Sequence, residues 1–406
     1  MKILKQFLAF LIILILLSPA VIADDYIEEN TDAIVVNTDI SDINFEILSR
    51  RAVVFERNSK VFLFEKNSEE QCAMASTTKI LTCTLILEKC NLSDIVTVSS
   101  KAANTGGSRL GLSTGATITV NDLLYGLMLC SGNDAAVALA EHCGGSVEGF
   151  AELMNNKASE LSLTSTHFVT PHGLDDPEHY TTAHDFALLT DYALNNEQFL
   201  NIVGTKSYTV TINGQAKNIN NTNELLGVIP SVYGVKTGYT SQAGRCLITS
   251  AKQDNLDIIV IVFGADTKNI RTNDSANLIN YIFSTYDSIN LNNLIIEKYD
   301  DYLNYVLPYI KIDKVSKNLS TELRDTFPEF YPIKKEDLDS ISVSLEEETL
   351  IVPIAVGQIV AKIDVSCNNQ KILSTNIYST TYINKKQPLE YFFFFVSQYK
   401  NFYKVY

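Results

Sequence analysis

Two residues three apart, Ser76 and Lys79 in Ser76-Thr77-Thr78-Lys79, open a series of three short strings, followed in order by Ser131-Gly132-Asn133 and Lys236-Thr237-Gly238. A serine hydroxyl is a poor nucleophile until a base takes its proton, and no serine-histidine-aspartate order is present to supply one. Lys79 is the candidate base, and the chemistry implied is acyl transfer through an ester on Ser76. That role needs a neutral amine near pH 7, toward which burial in a helix-lined groove and the charge of Lys236 would both push. The S-x-x-K spacing alone is weak, since Ser397-Gln398-Tyr399-Lys400 repeats it in the tail. Specificity comes from the order and context of the three strings, which lie far apart and must be joined by folding.

The elements that would position them follow from periodicity. From Ser76 to Cys90 the residues Ile80, Leu81, Cys83, Leu85, Ile86 and Leu87 wrap most of the way round a helix, as in a buried one. Ser76 and Lys79 then share one face of its first turn. Asn121 to Leu129 reads as a helix that delivers Ser131-Gly132-Asn133 on a short turn, with a further helix from Asp134 to His142 ended by Gly144-Gly145. Arg51 to Phe55 and Val61 to Glu65 form a hairpin of edge strands around Arg57-Asn58-Ser59-Lys60. Asp185 to Leu194 is an amphipathic helix; Tyr208 to Ile212, Leu247 to Thr249 and Asp257 to Phe263 have strand composition, and Lys236-Thr237-Gly238 falls where a sheet edge can line a groove. A helix from Asn273 to Phe283 closes the unit. Strands at both ends of a helical block predict an α/β sandwich whose termini pair in one sheet.

At 406 residues the chain exceeds a single domain of roughly 150. Met1-Lys2-Ile3-Leu4-Lys5, the apolar run Phe7 to Leu17 and the small residues before Asp24 predict an export signal over 1–23. An acidic spacer is expected over 24–45, the catalytic unit over 46–288 and a smaller all-β domain over 289–385, the last from runs such as Asn304 to Ile312, Ser340 to Leu345 and Leu350 to Val365. The aromatic, basic tail over 386–406 is too short to span a bilayer, which takes about 20 apolar residues, and reads as an interfacial membrane anchor. Seven cysteines without paired spacing argue against a disulfide framework; Cys130 beside Ser131 and Cys72 shortly before Ser76 are expected to be buried and inert. A net charge of -15 disfavours nucleic acid, and no phosphate loop or dinucleotide fingerprint is present, so no cofactor is expected.

The three strings resemble the S-x-x-K, S-x-N and K-T-G elements shared by penicillin-binding proteins and serine β-lactamases. Their surroundings, Ala75 to Thr82, Leu129 to Ala136, Pro171-His172-Gly173-Leu174 and Val235 to Thr240, look like the low-molecular-mass serine D-alanyl-D-alanine carboxypeptidases, with the likeness strongest from about residue 50 to 285. The resemblance implies a β-lactamase/transpeptidase-like α/β sandwich followed by a β domain. It also implies an exported, membrane-associated enzyme that removes the terminal D-alanine of peptidoglycan stem peptides and is acylated by β-lactams. By the same resemblance Ser131 relays the proton to the departing amine, and Asn133 holds Lys79 and the substrate carbonyl. The N–H groups of Ser76 and Tyr239 form the oxyanion hole, and Lys236, Thr237 and Gly238 line the substrate groove. Arg271, in Gly264 to Arg271, helps clamp the terminal carboxylate.

Three alternatives compete. A class A β-lactamase needs a glutamate in an E-x-x-L-N string, and Glu197-Gln198-Phe199-Leu200-Asn201 spells it, though later in the chain than that family places it. A zinc peptidase is brought to mind by His167, His172, His179 and His184 near Asp175, Asp176 and Asp185, but no HExxH string is present and no metal is expected. A non-catalytic binder of peptidoglycan stems would have no use for an activated nucleophile.

Overall fold

A computed structural model describes residues 46–310 and 318–384, with Phe392 and Val396. The expected export signal, the acidic spacer and nearly all of the anchoring tail lie outside the described residues. The chain forms two compact units, divided between Ser284 and Thr285.

In the first unit the strands are β1 (Arg51–Glu56), β2 (Val61–Lys66), β3 (Ile95–Thr97), β4 (Thr117–Thr119), β5 (Ser207–Ile212), β6 (Gln215–Asn220), β7 (Val232–Thr240), β8 (Gly244–Gln253) and β9 (Leu256–Ala265). The helices are α1 (Lys79–Lys89), α2 (Ser100–Ala103), α3 (Val120–Met128), α4 (Asn133–Gly144), α5 (Val147–Glu160), α6 (Ala183–Ala193), α7 (Glu197–Val203) and α8 (Lys268–Thr285). Five strands make one antiparallel sheet in the order β2-β1-β9-β8-β7, while β3 with β4 and β5 with β6 form separate ribbons. The pairing of β1 with β9 joins the start of the unit to its end, as expected. The hairpin differs in one respect: only β2 is an edge, because β1, buried from Ala52 to Glu56, has β9 on its other side.

Every residue of β9 is buried, so both faces of the sheet are covered. Side chains alternate along a strand. Ile259, Ile261 and Phe263 accordingly join Val53, Phe55 and Ile248 in the core shared with α1, α3 and α4, whereas Ile258, Val260 and Val262 are buried outside that cluster. The opposite end of this well-anchored sheet is β7, which carries Lys236-Thr237-Gly238.

Ser76 lies on a 3-10 turn, Ala75–Thr78, rather than in the first turn of an α-helix. The hydroxyls of Thr77 and Thr78 donate to the carbonyls of Met74 and Ala75 at 2.6 and 2.8 Å, which tightens that turn. Helix α1 then begins at Lys79 and is buried without a break to Ile86.

The second unit contains β10 (Tyr286–Asn290), α9 (Leu291–Asp301), β11 (Thr321–Leu323), β12 (Phe330–Lys334), β13 (Ile341–Glu347), β14 (Ile359–Cys367) and β15 (Gln370–Ser379). A four-stranded sheet runs β11-β15-β14-β13, and β10 pairs with β12. The predicted β character holds for the sheet, but Asn304 to Tyr309 forms helical turns and Leu291–Asp301 is a helix. Leu291, Leu294, Ile295 and Tyr302 follow a helical period that the intervening asparagines obscure in the sequence; Asn290 caps the helix by accepting from the Asn293 amide at 2.8 Å.

Candidate active site

Lys79 is fully buried, and its Nζ donates to Ser76 Oγ at 2.8 Å, to Asn133 Oδ1 at 2.7 Å and to the His172 carbonyl at 2.9 Å. Three segments distant in sequence thus meet on one nitrogen. Each is held by its own fold. The residue before the serine, Ala75, has φ 49, in the region that non-glycine residues rarely enter. Asn133, the first residue of α4, donates through Nδ2 to the Gly106 carbonyl at 2.7 Å and through its backbone amide to the Ser108 carbonyl at 2.8 Å.

Its neighbour Asp134 supplies a fixing point that sequence reasoning missed. This fully buried carboxylate accepts from the amides of Leu110, Gly111 and Leu112 at 2.8, 2.7 and 2.9 Å, so the segment before α3 is locked to the start of α4. With the Ala135 amide at 3.0 Å, four backbone donors keep this buried carboxylate satisfied. Its position directly after the asparagine was the available signal.

Ser131 lies on the turn between α3 and α4 with φ 61 and is 2% exposed. Its Oγ is buried without a hydrogen-bond partner among the described residues. A buried hydroxyl left unpaired in a strained turn marks functional positions more often than structural ones. The adjacent Cys130 donates to the Gly126 carbonyl, and burial pushes its thiol up to about 11.

On the other side stands β7, in which Lys236 and Thr237 are buried and Lys236 Nζ donates to the Thr237 carbonyl at 2.9 Å. Gly238 is where the strand meets the serine turn: a Cβ there would sit 3.0 Å from Ser76 N and 3.3 Å from Thr77 N. Only glycine lets the two backbones come this close. Tyr239 is covered by the guanidinium of Arg245 at 4.1 Å from the ring centre. Thr237 Oγ1 is 2.6 Å from Thr222 Oγ1, a contact absent from the sequence reading.

Arg271 is brought to this edge indirectly. It is 4% exposed on α8, and its Nη2 is 2.7 Å from both oxygens of Glu224, two residues beyond Thr222.

The histidines have other employment. His179 Nε2 is 2.8 Å from Thr78 Oγ1 while its Nδ1 accepts from the Val169 amide at 2.9 Å, so the ring braces the serine turn. Burial, with further contributions from neighbouring charges, holds His172 down at about 3 and His179 at about 4. Gly173, at φ 86, packs so closely that a Cβ would lie 1.8 Å from the Ala75 carbonyl oxygen. Asp175 accepts from Thr240 Oγ1 at 2.5 Å, Asp185 accepts from Thr166 Oγ1 at 2.7 Å, and His184 stacks on Phe62. Among the described residues no three His, Cys, Asp or Glu side chains converge as a metal site would require. Glu197, the residue the β-lactamase alternative needs, is exposed on the first turn of α7.

The family profile for D-alanyl-D-alanine carboxypeptidase matches residues 36–267. The chain is similar to D-alanyl-D-alanine carboxypeptidase DacF of Bacillus subtilis, 37% identical over 318 residues covering 76% of this chain and 79% of that one. It is likewise similar to DacC of Escherichia coli, 32% identical over 346 residues covering 80% and 81%. The crystal structure of penicillin binding protein 5 from Haemophilus influenzae superposes with a TM-score of 0.70 at 28% identity, covering 85% of this chain and all of that one. With the three strings, the α/β sheet and these relatives in agreement, the chain belongs to the serine-type D-alanyl-D-alanine carboxypeptidases.

Proposed function

We propose that Ser76, Lys79, Ser131 and Asn133 carry out the carboxypeptidase reaction, with Lys236, Thr237, Gly238, Tyr239 and Arg271 binding the substrate. The observation that carries this assignment is the position of Lys79 Nζ, 2.8 Å from Ser76 Oγ and 2.7 Å from Asn133 Oδ1.

Lys79 takes the Ser76 proton as Oγ attacks the carbonyl carbon of the penultimate D-alanine of a stem peptide. The Ser76 N–H at the head of the 3-10 turn, facing Gly238, and the N–H of Tyr239 receive the developing oxyanion. The C–N bond then breaks as Ser131 gives its proton to the departing amine and takes in return the proton that Lys79 received from Ser76, so Lys79 is neutral again and the terminal D-alanine leaves. Water attacks the acyl-Ser76 ester, releasing the shortened peptide and restoring the hydroxyl. A β-lactam acylates Ser76 by the same first step, but its opened ring stays attached, so no leaving group departs. Arg271, with Thr237, holds the terminal carboxylate, which makes the enzyme an exopeptidase.

The peptidase unit is assigned to 46–288 and a β domain to 289–385, a division that the separation of the chain into two compact units supports. Peptidoglycan lies outside the cytoplasm; export by residues 1–23 and membrane attachment by residues 386–406 complete this assignment. Release of D-alanine from a peptide ending in D-Ala-D-Ala, lost in Ser76→Ala and blocked by penicillin, tests the catalytic assignment. Release that persists in Ser76→Ala overturns it. Fractionation of cells expressing the full chain and a chain truncated after residue 385 tests the anchor, which fails if both stay with the membrane equally.

A further inference from the structure

Arg271 is paired in an unusual way. Both oxygens of Glu224 contact the same nitrogen, Nη2, at 2.7 Å, and Lys268 Nζ lies 2.9 Å from Oε1. A carboxylate that satisfied a guanidinium fully would span two of its nitrogens in a fork. Here Nε is buried with no partner among the described residues, although the side chain is only 4% exposed. A buried donor left open costs stability unless something fills it.

Glu224 is itself fixed. Asn223, beside it, donates through Nδ2 to the Gly234 carbonyl at 2.9 Å and accepts from the Leu225 amide at 3.1 Å, while Thr222 meets Thr237 at 2.6 Å. The segment is therefore bonded to the strand that carries Lys236-Thr237-Gly238. Burial alone would raise the Glu224 carboxyl, but Arg271 and Lys268 bring it below the usual carboxylate range, so it is an anion at neutral pH.

We propose that Glu224 is a positioning residue for substrate recognition: it holds the Arg271 guanidinium beside the edge strand by one nitrogen and leaves the remaining donors for the terminal carboxylate of the substrate. Without this counter-charge a buried arginine with four rotatable bonds has little reason to stay in place. The inference rests on the assignment of Arg271 to the substrate carboxylate made above.

The test uses the full chain and two acyl donors sharing the same N-acyl-D-alanyl part: a peptide ending in D-Ala-D-Ala, and a thioester whose leaving thiol has no carboxylate. Glu224→Ala should raise KM for the peptide about tenfold, the loss expected of one charged hydrogen bond, with kcat within about twofold and the thioester unaffected. Glu224→Gln, which keeps an oxygen for Nη2, should recover much of that KM. Arg271→Ala should reproduce the peptide defect, and the double variant should be no worse than Arg271→Ala alone. Equal losses on both donors would make Glu224 merely structural and overturn the inference. A peptide KM that is normal in Glu224→Ala but raised in Arg271→Ala would overturn the inference and leave the carboxylate clamp standing. A normal peptide KM in Arg271→Ala would remove the clamp and, with it, the role of Glu224.

Discussion

The two units bury different kinds of side chain. In the first, Lys79, Asp134, Lys236 and Arg271 are each no more than 4% exposed; in the second, no Lys, Arg, Asp or Glu is buried among the described residues, and the core is Leu291, Ile295, Ile363, Val365 and Ile377 around Tyr302. Removing charge from water is costly unless the group is paired or hydrogen-bonded. A fold bears that cost where it supports chemistry, the role proposed for Lys79, or where partners offset it, as at Asp134 with its four backbone amides. Buried charge is therefore concentrated in the first unit, whereas the second unit keeps its charged groups at the surface or half-buried, as in the bonds of Asp325 to Asn376 and Tyr378.

The sharpest way to break this comparison is at Ser76, the proposed nucleophile. Ser76→Ala should lower D-alanine release by at least ~10³-fold and abolish the covalent penicillin adduct, read by intact mass, while leaving the fold unchanged. A variant still acylated by penicillin would move the nucleophile elsewhere. Next comes Gly238→Ala, whose Cβ would press on Ser76 N at 3.0 Å and push β7 from the serine turn. A drop of about 10² in kcat is expected from a displaced oxyanion site, with the melting temperature little changed; unaltered kcat would separate this contact from catalysis.

The second unit should respond in the opposite sense. Ile363→Ala, in its apolar core, should cost about 2–5 kcal/mol in urea unfolding of that unit and leave kcat of the folded protein as it was. Loss of turnover at temperatures where the variant is folded would show that the two units are coupled.

A smaller effect follows from the histidines beside the serine turn. His172 at about 3 and His179 at about 4, lowered chiefly by burial, lie below the ordinary value of 6.5. Between those values the unfolded chain binds protons that the folded one refuses. The stability they contribute is present above pH 6.5 and is lost as pH falls toward 4, at roughly 1.4 kcal/mol per pH unit for each histidine. Urea midpoints at pH 7 and pH 5 should show this, and His172→Asn should weaken the pH dependence by about one proton. A variant with the wild-type slope would mean that His172 is protonated in the folded state. The least effect is expected at Cys130, whose thiol burial pushes up to about 11: native protein should react slowly with thiol reagents and keep its activity. Fast labelling with matching inactivation would place that sulfur in the open groove.

Much of this arrangement was legible in the sequence. Ser76 and Lys79 are neighbours because an i, i+3 spacing across the 3-10 turn that leads into α1 makes them so, and Lys236-Thr237-Gly238 falls on a strand because its flanks have strand composition. The helix over Leu291–Asp301 was not legible, since asparagines interrupt its apolar stripe and read as breakers. Local pattern also misjudged β1, which became an interior strand only because β9, some two hundred residues later, pairs along its free side.

The sequence by itself determined which residues can do chemistry and the local elements that carry them, because hydroxyl, amine and periodicity are properties of neighbours along the chain. Only the tertiary structure decided that the His172 carbonyl would accept from Lys79, that Asp134 would lock the Leu110–Leu112 segment, and that Glu224 would take Arg271. Those pairings join groups from separate elements, each answering a buried donor or acceptor that must be satisfied once water is gone. No spacing rule along the chain encodes such a requirement; it arises when packing removes the solvent.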